Sequence, residues 1–431
     1  MSIQRGRTGQ FLPLTGLIGG MAATLLTGTA WAETSPYYIG VVQSLAHESN
    51  LYRLGDGQEA LLGPGQRKSD TVSVTSLIAG IDQNFSRQRV YGSLKAGMNR
   101  YANNKTLNNE SYGVNLALDW ATLQRLSGTV SIGADQTLAQ FNNRNGVGSI
   151  ESVKNIVNTS RADALVRLGT VTALSMEAGL GFRKVDYSAT RYQRNEYEQT
   201  SGSLGARYRA SGLLEVGVAL RLSKADYPQF RQTGSNTFES DTLTRRDIDF
   251  TANWAPSAIS QVNLRLSPTR SSYDRNSGSD FSGLTGSATW AWQVAGKTKL
   301  NTTLSRDTGQ SSDAINLGIN QPGVIDYSQI GTALKVRADH ELTGKIGLTA
   351  SATVAHRILV DTPRDAFGNV LSKIEGSDNT VTLAFGGRWA VSRSAELGCN
   401  VSAERRTSSN TALAVPMSGS SFNCYGQLVL Q

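Results

Sequence analysis

The residues best suited to catalysis are few in this chain of 431 residues. Only three histidines are present, at His47, His340 and His356, and histidine is the usual general base in nucleophilic catalysis. No nucleophile motif and no metal-ligand spacing accompanies any of them. We therefore expect no enzyme, no cofactor and no metal site.

The two cysteines, Cys399 and Cys424, are placed for a disulfide. In an antiparallel hairpin the sum of two paired residue numbers is constant, so residues that face each other share the midpoint of the connecting loop. Their midpoint, 411.5, falls within the polar segment 407–419. We predict that they face each other on the outer side of one hairpin and become oxidised in an exported protein.

The elements that must position these residues show an alternating pattern from Tyr37 onward. In residues 214–223, Leu and Val occupy the even positions, while Glu, Gly, Ala, Arg and Ser occupy the odd ones. A period of two puts the two sets on opposite faces of a strand. The pattern recurs in residues 114–120, 174–182, 330–336 and 381–389. It favours strands with an apolar outer face toward lipid and a polar inner face toward a lumen.

The connections between these stretches alternate between short and long. The short ones fall near residues 84–88, 121–125, 169–172, 209–212, 255–258, 294–297, 342–344 and 390–394. The long ones, rich in Asn, Asp, Gly and Ser, fall near residues 48–69, 102–110, 142–152, 189–196, 228–240, 273–280, 311–326, 361–378 and 407–419. We predict an all-β, transmembrane, antiparallel up-and-down barrel of about 18 strands, with 16 as the alternative. The short turns would face the periplasm.

Aromatic residues segregate with these connections. Five tryptophans adjoin short turns, namely Trp120, Trp254, Trp290, Trp292 and Trp389. Seven tyrosines adjoin long loops, namely Tyr101, Tyr112, Tyr187, Tyr197, Tyr227, Tyr273 and Tyr327. Because Trp and Tyr collect at membrane–water interfaces, we predict two interface girdles, of tryptophan at the short-turn end and of tyrosine at the long-loop end. A soluble sandwich would give no reason for this segregation.

The alternation also directs basic residues toward the lumen or its outer vestibule. These candidates are Arg183, Arg207, Arg221, Arg245, Arg265, Lys335, Arg337, Arg357, Arg388 and Arg406. Acidic residues share the inward positions in similar number, so we favour charges that brace one another across strands over an ion-selective lining. The hydroxyl-rich wall suits sugars, but it equally suits a general porin.

Doubled basic residues precede or follow three long loops, at 183–184, 245–246 and 405–406. Adjacent residues of a strand point to opposite faces. One residue of each pair would then line the vestibule, and the other would meet lipopolysaccharide phosphates on the outside. Plain solvated rim charge is the alternative.

Residues 1–32 have the features of a cleaved signal peptide, with Arg5 and Arg7 before an apolar stretch and Ala30-Trp31-Ala32 as the cleavage site. An N-terminal anchor is the alternative, but Pro and Gly interrupt the stretch. Residues 33–431 would form the barrel in the bacterial outer membrane. Removal of the two signal arginines lowers the formal charge from +8 to +6, and an exported chain of this charge is not expected to bind nucleic acid.

Five segments resemble the EpsL family of exopolysaccharide outer-membrane proteins associated with exosortase-B loci. They are SPYYIGVVQSLAHESNLYRL (35–54), SDT (69–71), RLSGTVSIGADQTLAQFNNRNGVG (125–148), GLGFRKVDYSA (179–189) and DFSGLTG (280–286). The HESNLYR element is also similar to the wider β-barrel porin 2 group. The EpsL resemblance implies export of extracellular polysaccharide, with periplasmic and inner-membrane export machinery as partners. It supplies no catalytic or binding residues.

Three functions are therefore compatible with the sequence. They are a polysaccharide exporter, a general or solute-selective porin, and a barrel with a structural or enzymatic role. We favour the exporter, which requires partners from its own locus, whereas a porin passes small solutes alone.

Overall fold

The computed structural model describes residues 35–123, 125–141, 150, 152–169, 172–232, 237–275, 280–308, 311–318, 321–327, 330–361 and 374–431. The predicted signal peptide, residues 1–32, lies outside this part of the chain, so its cleavage stays a prediction.

The described part of the chain consists of twenty strands and three short 3₁₀ helices. The strands are β1 Tyr37–Glu48, β2 Asp70–Phe85, β3 Gln88–Tyr101, β4 Asn109–Ala121, β5 Leu126–Leu138, β6 Ile156–Leu168, β7 Leu174–Tyr187, β8 Tyr197–Arg209, β9 Leu214–Gln232, β10 Phe238–Ser257, β11 Ser260–Tyr273, β12 Phe281–Ala295, β13 Thr298–Thr308, β14 Ser311–Gly318, β15 Gln321–Tyr327, β16 Ile330–Glu341, β17 Ile346–Asp361, β18 Ile374–Ala390, β19 Ala395–Ser408 and β20 Met417–Leu430. The helices are η1 Gln58–Leu61, η2 Lys105–Leu107 and η3 Thr190–Asn195. Within the described ranges, no helix has the length and apolar character needed to cross a membrane.

Eighteen of the described strands form one closed antiparallel sheet. Each strand pairs with the next along the chain, except that β14 and β15 form a separate hairpin and β13 pairs directly with β16. The first strand pairs with both β2 and β20, which closes the ring. A closed ring has no free edge on which backbone groups stay unpaired. The predicted barrel of 18 strands is confirmed, and the 16-stranded alternative is wrong.

The two faces of the sheet differ sharply in polarity. Large apolar side chains project from the outer face, where Leu180 is 71% exposed and Leu220 is 60% exposed. The neighbouring inward positions carry polar groups, such as Glu177 and Arg221. An apolar outer surface of this kind needs a lipid environment. The barrel therefore spans the bacterial outer membrane.

All eight predicted short turns lie between the strands where they were expected, but several long loops contain more strand than predicted. The predicted loop 228–240 is largely a continuation of β9 and β10, and the predicted loop 311–326 contains the hairpin β14–β15. Apolar alternation ends at the membrane edge, whereas backbone pairing can continue in water. The alternation therefore underestimated these strands.

Candidate functional site: the lumen wall and outer mouth

All ten predicted basic candidates lie on barrel strands and share the inward face with the acidic residues of neighbouring strands. Seven of them form ion pairs with those acids, namely Arg207, Arg221, Arg245, Arg265, Arg337, Arg357 and Arg388. The lumen wall is thus a network of opposed charges, which is the bracing arrangement that the sequence favoured.

The first ion-pair cluster lies near the short-turn end of β6 to β9. The Arg207 guanidinium donates from Nε to Glu177 at 2.8 Å and from Nη1 to Glu215 at 3.1 Å. Glu177 also accepts a hydrogen bond from Arg167 at 3.0 Å. Arg207 and Glu177 are buried, so this cluster joins four successive strands through charge-assisted bonds that water does not screen fully.

The second cluster is centred on Asp249 and joins β9, β10 and β11. Asp249 accepts two hydrogen bonds from Arg221, at 3.0 and 3.2 Å, and its Oδ1 lies 3.6 Å from Arg265. The Asp249 side chain is fully buried, and so is that of Asp247, which lies 3.4 Å from Arg221. A buried carboxylate is tolerable only when paired and hydrogen-bonded, and both conditions are met here.

Arg245 extends this network toward the long-loop end. Its Nε donates to both oxygens of Asp247 at 3.0 Å, and its Nη1 donates to Asp307 of β13 at 2.8 Å. Thr269 and Thr285 add hydroxyl groups between them, with Thr269 donating to Asp247 at 2.6 Å. The guanidinium therefore spans from β10 to β13 across the inner wall.

A third cluster lies on the opposite part of the chain, near the outer mouth. The buried Arg357 donates from Nε to Asp378 at 2.8 Å, and the Asp378 side chain is fully buried. Arg406, also buried, donates from Nε to the backbone carbonyl of Val415 at 2.9 Å. Beside them Arg53, from the first long loop, forms an ion pair with Glu404. A loop residue therefore reaches the inner wall of β19.

Two further pairs complete the wall on the strands β16 to β20. Arg337 donates to Asp339 at 2.8 Å, and Arg388 donates to Glu396 at 3.3 Å. The Tyr425 hydroxyl donates to the same Glu396 at 2.7 Å. These pairs lie closer to the short-turn end than the Arg357 cluster.

Several inward cations of the described residues stand apart from this pairing. Lys95, Lys335 and Arg183 have no carboxylate within 4.0 Å among the described residues. Arg183 lies directly opposite Arg161, which is itself paired with Asp135 at 3.2 Å, and the buried Nε of Arg183 has no hydrogen-bond partner in the described part of the chain.

The first long loop, residues 49–69, folds inward and packs against two neighbouring loops. Tyr52 and Leu54 are buried in a cluster with Leu107 and Phe141, and the Tyr52 ring centroid lies 4.7 Å from that of Phe141. The Tyr52 hydroxyl donates to Asn104 at 2.9 Å. Burial, assisted by the nearby Asp70 carboxylate, raises the pKa of Tyr52 to about 12. Burial also lowers the pKa of the adjacent Arg53, against the opposing effect of Glu404.

The predicted tyrosine girdle is wrong for most of its described members. Tyr187, Tyr197, Tyr227 and Tyr273 point into the barrel and form an aromatic cluster on β7 to β11. Tyr192 of η3 stacks on Tyr187 at a centroid distance of 6.1 Å, so a second loop is anchored inward.

The remaining tyrosines of the predicted girdle divide between the two faces. Tyr101 packs against the first-loop cluster, whereas Tyr112 is exposed on the outer face. Tyr327 side-chain placement lies outside what the structure describes. Nearness to a long loop indicates where a residue lies along the barrel axis. Only its position in the alternation indicates whether its side chain points inward or outward.

The five tryptophans all occupy outward positions next to short turns. They are Trp120, Trp254, Trp290, Trp292 and Trp389. Trp290 and Trp292, two positions apart on β12, stack with ring centroids 5.1 Å apart. Their role as an interface girdle stays a prediction, and their common height and face agree with it.

The structure joins Cys399 and Cys424 by a disulfide. The two residues face each other directly in the pairing of β19 with β20, with Cα atoms 4.1 Å apart. They share the outward face with apolar neighbours such as Leu397 and Phe422. The hairpin register that the sequence predicts is thus the register that the structure has.

The three histidines lie apart and make local hydrogen bonds. His47 bonds to Thr71 at 3.0 Å, His340 to Thr298 at 2.9 Å and His356 to Asn379 at 2.9 Å. Within the described ranges, no group of three or more His, Cys, Asp or Glu side chains is arranged to hold a metal ion.

Several wall residues were missed by sequence reasoning. Asp307, Asp378, Glu404 and Arg161 lie on strands, so a longer reading of the alternation would have placed them inward. Arg53 lies in a loop and has a left-handed backbone conformation, with φ 55°. Because a loop has no apolar–polar alternation, the sequence does not predict the contact of Arg53 with Glu404.

The comparison with protein families gives a match over part of this barrel. Residues 268–415, which are 148 of the 431, match the sequence model of the family described as Putative beta-barrel porin 2. The chain is an outer-membrane β-barrel of 18 strands, and this part of it is similar to that family. A comparison with curated protein sequences found no match.

Solved structures similar to this barrel include outer-membrane proteins of Pseudomonas aeruginosa. OpdK is 10% identical, with 91% of this chain and 99% of that chain covered and a TM-score of 0.46. OccK3 (OpdO) is 9% identical, with 92% and 96% covered and a TM-score of 0.45. A mutant of the ferric enterobactin receptor PfeA is 8% identical, with 91% and 80% covered and a TM-score of 0.42.

Proposed function

We propose that this porin-type barrel exports extracellular polysaccharide across the outer membrane. The observation that carries the proposal is the self-neutralised lumen wall, in which buried carboxylates such as Asp249 and Asp378 hold the inward arginines. A wall of this kind offers many hydrogen-bonding groups and little unbalanced charge. A hydroxyl-rich polymer can exchange hydrogen bonds along it without being held at one strong ionic site.

The nature of the cargo comes from the sequence resemblance. Residues 35–54, 125–148 and 179–189 resemble the EpsL family, which implies export of exopolysaccharide. The polymer would arrive from inner-membrane and periplasmic export machinery, because a barrel alone has no energy source to drive a chain outward. We therefore expect the barrel to act with partners from that machinery.

A solute-selective porin is the second candidate. Lys95, Lys335 and Arg183 face the lumen without a carboxylate within 4.0 Å among the described residues, and such cations attract small anions. In that case the barrel would pass anionic solutes in the absence of any partner.

The experiment is deletion of the gene, with surface polysaccharide and intracellular polymer measured separately. The exporter predicts less surface polymer and polymer retained within the envelope, restored by the wild-type gene. Normal surface polymer together with reduced uptake of small anions would favour the porin. A Lys95→Gln/Lys335→Gln variant sharpens the distinction, since it should impair anion uptake and leave polymer export unchanged.

A further inference from the structure

Two arginines without a protein carboxylate within 4.0 Å among the described residues lie on the outer surface of the barrel, on β10 and β11. Arg246 and Arg270 face each other directly in the pairing of β10 with β11. Both are exposed and alternate with the inward Arg245 and Asp247, so their side chains project outward. Lys224 of β9 lies diagonally beside them, at the position that pairs with Thr244.

The protein itself does not balance the charge of this pair. Like charges directly opposite each other on one face of a sheet are destabilising. No carboxylate of the described residues lies within 4.0 Å of Arg246 or Arg270, and the nearest outward acid on β9, Asp226, is paired with Lys224 at 3.3 Å. Two opposed guanidinium groups without an internal partner indicate an external anion.

The position of Arg246 and Arg270 along the barrel axis indicates which anion they can meet. Arg270 lies ten residues beyond Ser260, where β11 begins at the short-turn end. Ten residues of a strand tilted as in other membrane barrels rise by about 25 Å, which is the height of the apolar band. The outward neighbours toward the short-turn end are apolar, namely Leu222, Ile248 and Leu266. The guanidinium groups therefore lie at the level of the outer-leaflet headgroups.

We propose that Arg246 and Arg270 bind a phosphate group of the outer-leaflet glycolipid, the lipid A part of lipopolysaccharide. Guanidinium groups bind phosphate oxygens through paired, charge-assisted hydrogen bonds. A phosphate between the two side chains removes their repulsion, while the acyl chains below it lie against the apolar band. Lys224, whose charge is balanced by Asp226, lies at the edge of the site.

The test compares lipid binding by the purified full-length barrel in detergent, measured by native mass spectrometry. The probes are bisphosphorylated lipid A, lipid A with both phosphates removed, and phosphatidylglycerol. The variant is Arg246→Gln/Arg270→Gln, and the matched control is Lys345→Gln/Arg393→Gln, which removes two cations from turns at the opposite end. We expect the variant to bind bisphosphorylated lipid A at least about ten-fold more weakly, while the control retains wild-type binding.

Two outcomes would overturn the proposal. One is equal binding of bisphosphorylated and dephosphorylated lipid A by the wild type, and the other is an unchanged affinity in the variant. If the variant lost phosphatidylglycerol binding to the same extent as lipid A binding, the site would bind anionic lipids in general. That result would reject the glycolipid assignment.

A second measurement guards against a folding defect. Since the substitution removes a repulsion, the variant in lipid-free detergent should unfold at the same temperature as the wild type or higher. A lower unfolding temperature would contradict the absence of an internal partner. None of these outcomes depends on the cargo of the lumen.

Discussion

At the scale of single residues, the lumen is organised by buried carboxylates. The side chains of Asp247, Asp249 and Asp378 are fully buried, and each is held by arginines. An ionised carboxylate is costly to bury unless it is paired and hydrogen-bonded, so each acid and its arginines form one unit. Loss of an acid leaves its arginines as excess positive charge in the channel.

Asp249→Asn should make the channel more selective for anions. The amide no longer neutralises Arg221 and Arg265, so the local potential of the lumen becomes more positive. We expect the anion-to-cation permeability ratio, from the reversal potential in a salt gradient across a planar bilayer, to rise by about two-fold or more. Asp226→Asn, on the outer face, is the control and should leave the ratio unchanged. An unchanged ratio for Asp249→Asn would place this cluster outside the ion path.

The disulfide between Cys399 and Cys424 is the second residue-level prediction. Protein extracted under thiol-blocking conditions should carry no alkylated cysteine, as measured by mass spectrometry. Cys399→Ser/Cys424→Ser should lower the unfolding temperature. The chain-entropy model gives about 3 kcal/mol as the upper bound for the loss in free energy of unfolding. The closed ladder already restrains these strands, so the measured loss should be smaller. Two alkylated cysteines in the wild type would contradict the bridge.

At the scale of elements, two long loops fold inward at the outer mouth of the barrel. The first loop is held by Tyr52 and by the Arg53–Glu404 ion pair, and the loop carrying η3 is held by the stack of Tyr192 on Tyr187. The first loop contacts the inner wall at Glu404, and the loop carrying η3 contacts it at Tyr187, both at the end of the barrel where the long loops lie.

The first loop should open in alkaline solution. The pKa of Tyr52 is raised from 10.0 to about 12, so its neutral form stabilises the folded loop below pH 10 and this stabilisation is lost as the pH rises through about 12. Single-channel conductance should therefore increase between these values. Tyr52→Phe cannot ionise and is the control, with a conductance that lacks this step. A step that persists in Tyr52→Phe would assign it to another group.

At the scale of the whole molecule, closure depends on the seam between the first strand and the last. Gly40 of β1 pairs with Val429 of β20, and a Cβ added to Gly40 would lie 2.5 Å from the Leu428 carbonyl oxygen. That oxygen belongs to the backbone, so it cannot move without disturbing the ladder. The seam thus tolerates little more than a hydrogen atom at this position.

Gly40→Val should therefore impair assembly of the barrel. The clash displaces β20 from β1 and costs about 1–3 kcal/mol or more, as overpacking does elsewhere. The folded fraction, measured by the heat-dependent shift in gel mobility, should fall. Ser44→Val, at another inward position of the same strand, is the control and should fold like the wild type. Normal folding of Gly40→Val would show that the seam can relax.

The sequence by itself determined the architecture, because the architecture follows from patterns among residues that are close together in the chain. A period of two assigns each side chain to one face, and the contrast of short turns with long loops orders 18 strands and both ends of the barrel. The same arithmetic gives the register of β19 with β20, and therefore the pairing of Cys399 with Cys424. The resemblance to EpsL adds a cargo, which remains a proposal.

Only the tertiary structure decided which inward groups meet. Arg245 reaches Asp307 across two intervening strands, and Arg53 reaches Glu404 over 351 positions of sequence. Such contacts depend on the curvature of the closed wall and on the path of a loop, neither of which has a periodic signal. The inward tyrosines follow the same rule, since the adjoining loops indicated their position along the barrel axis, whereas the register of β7 to β11 decided their neighbours.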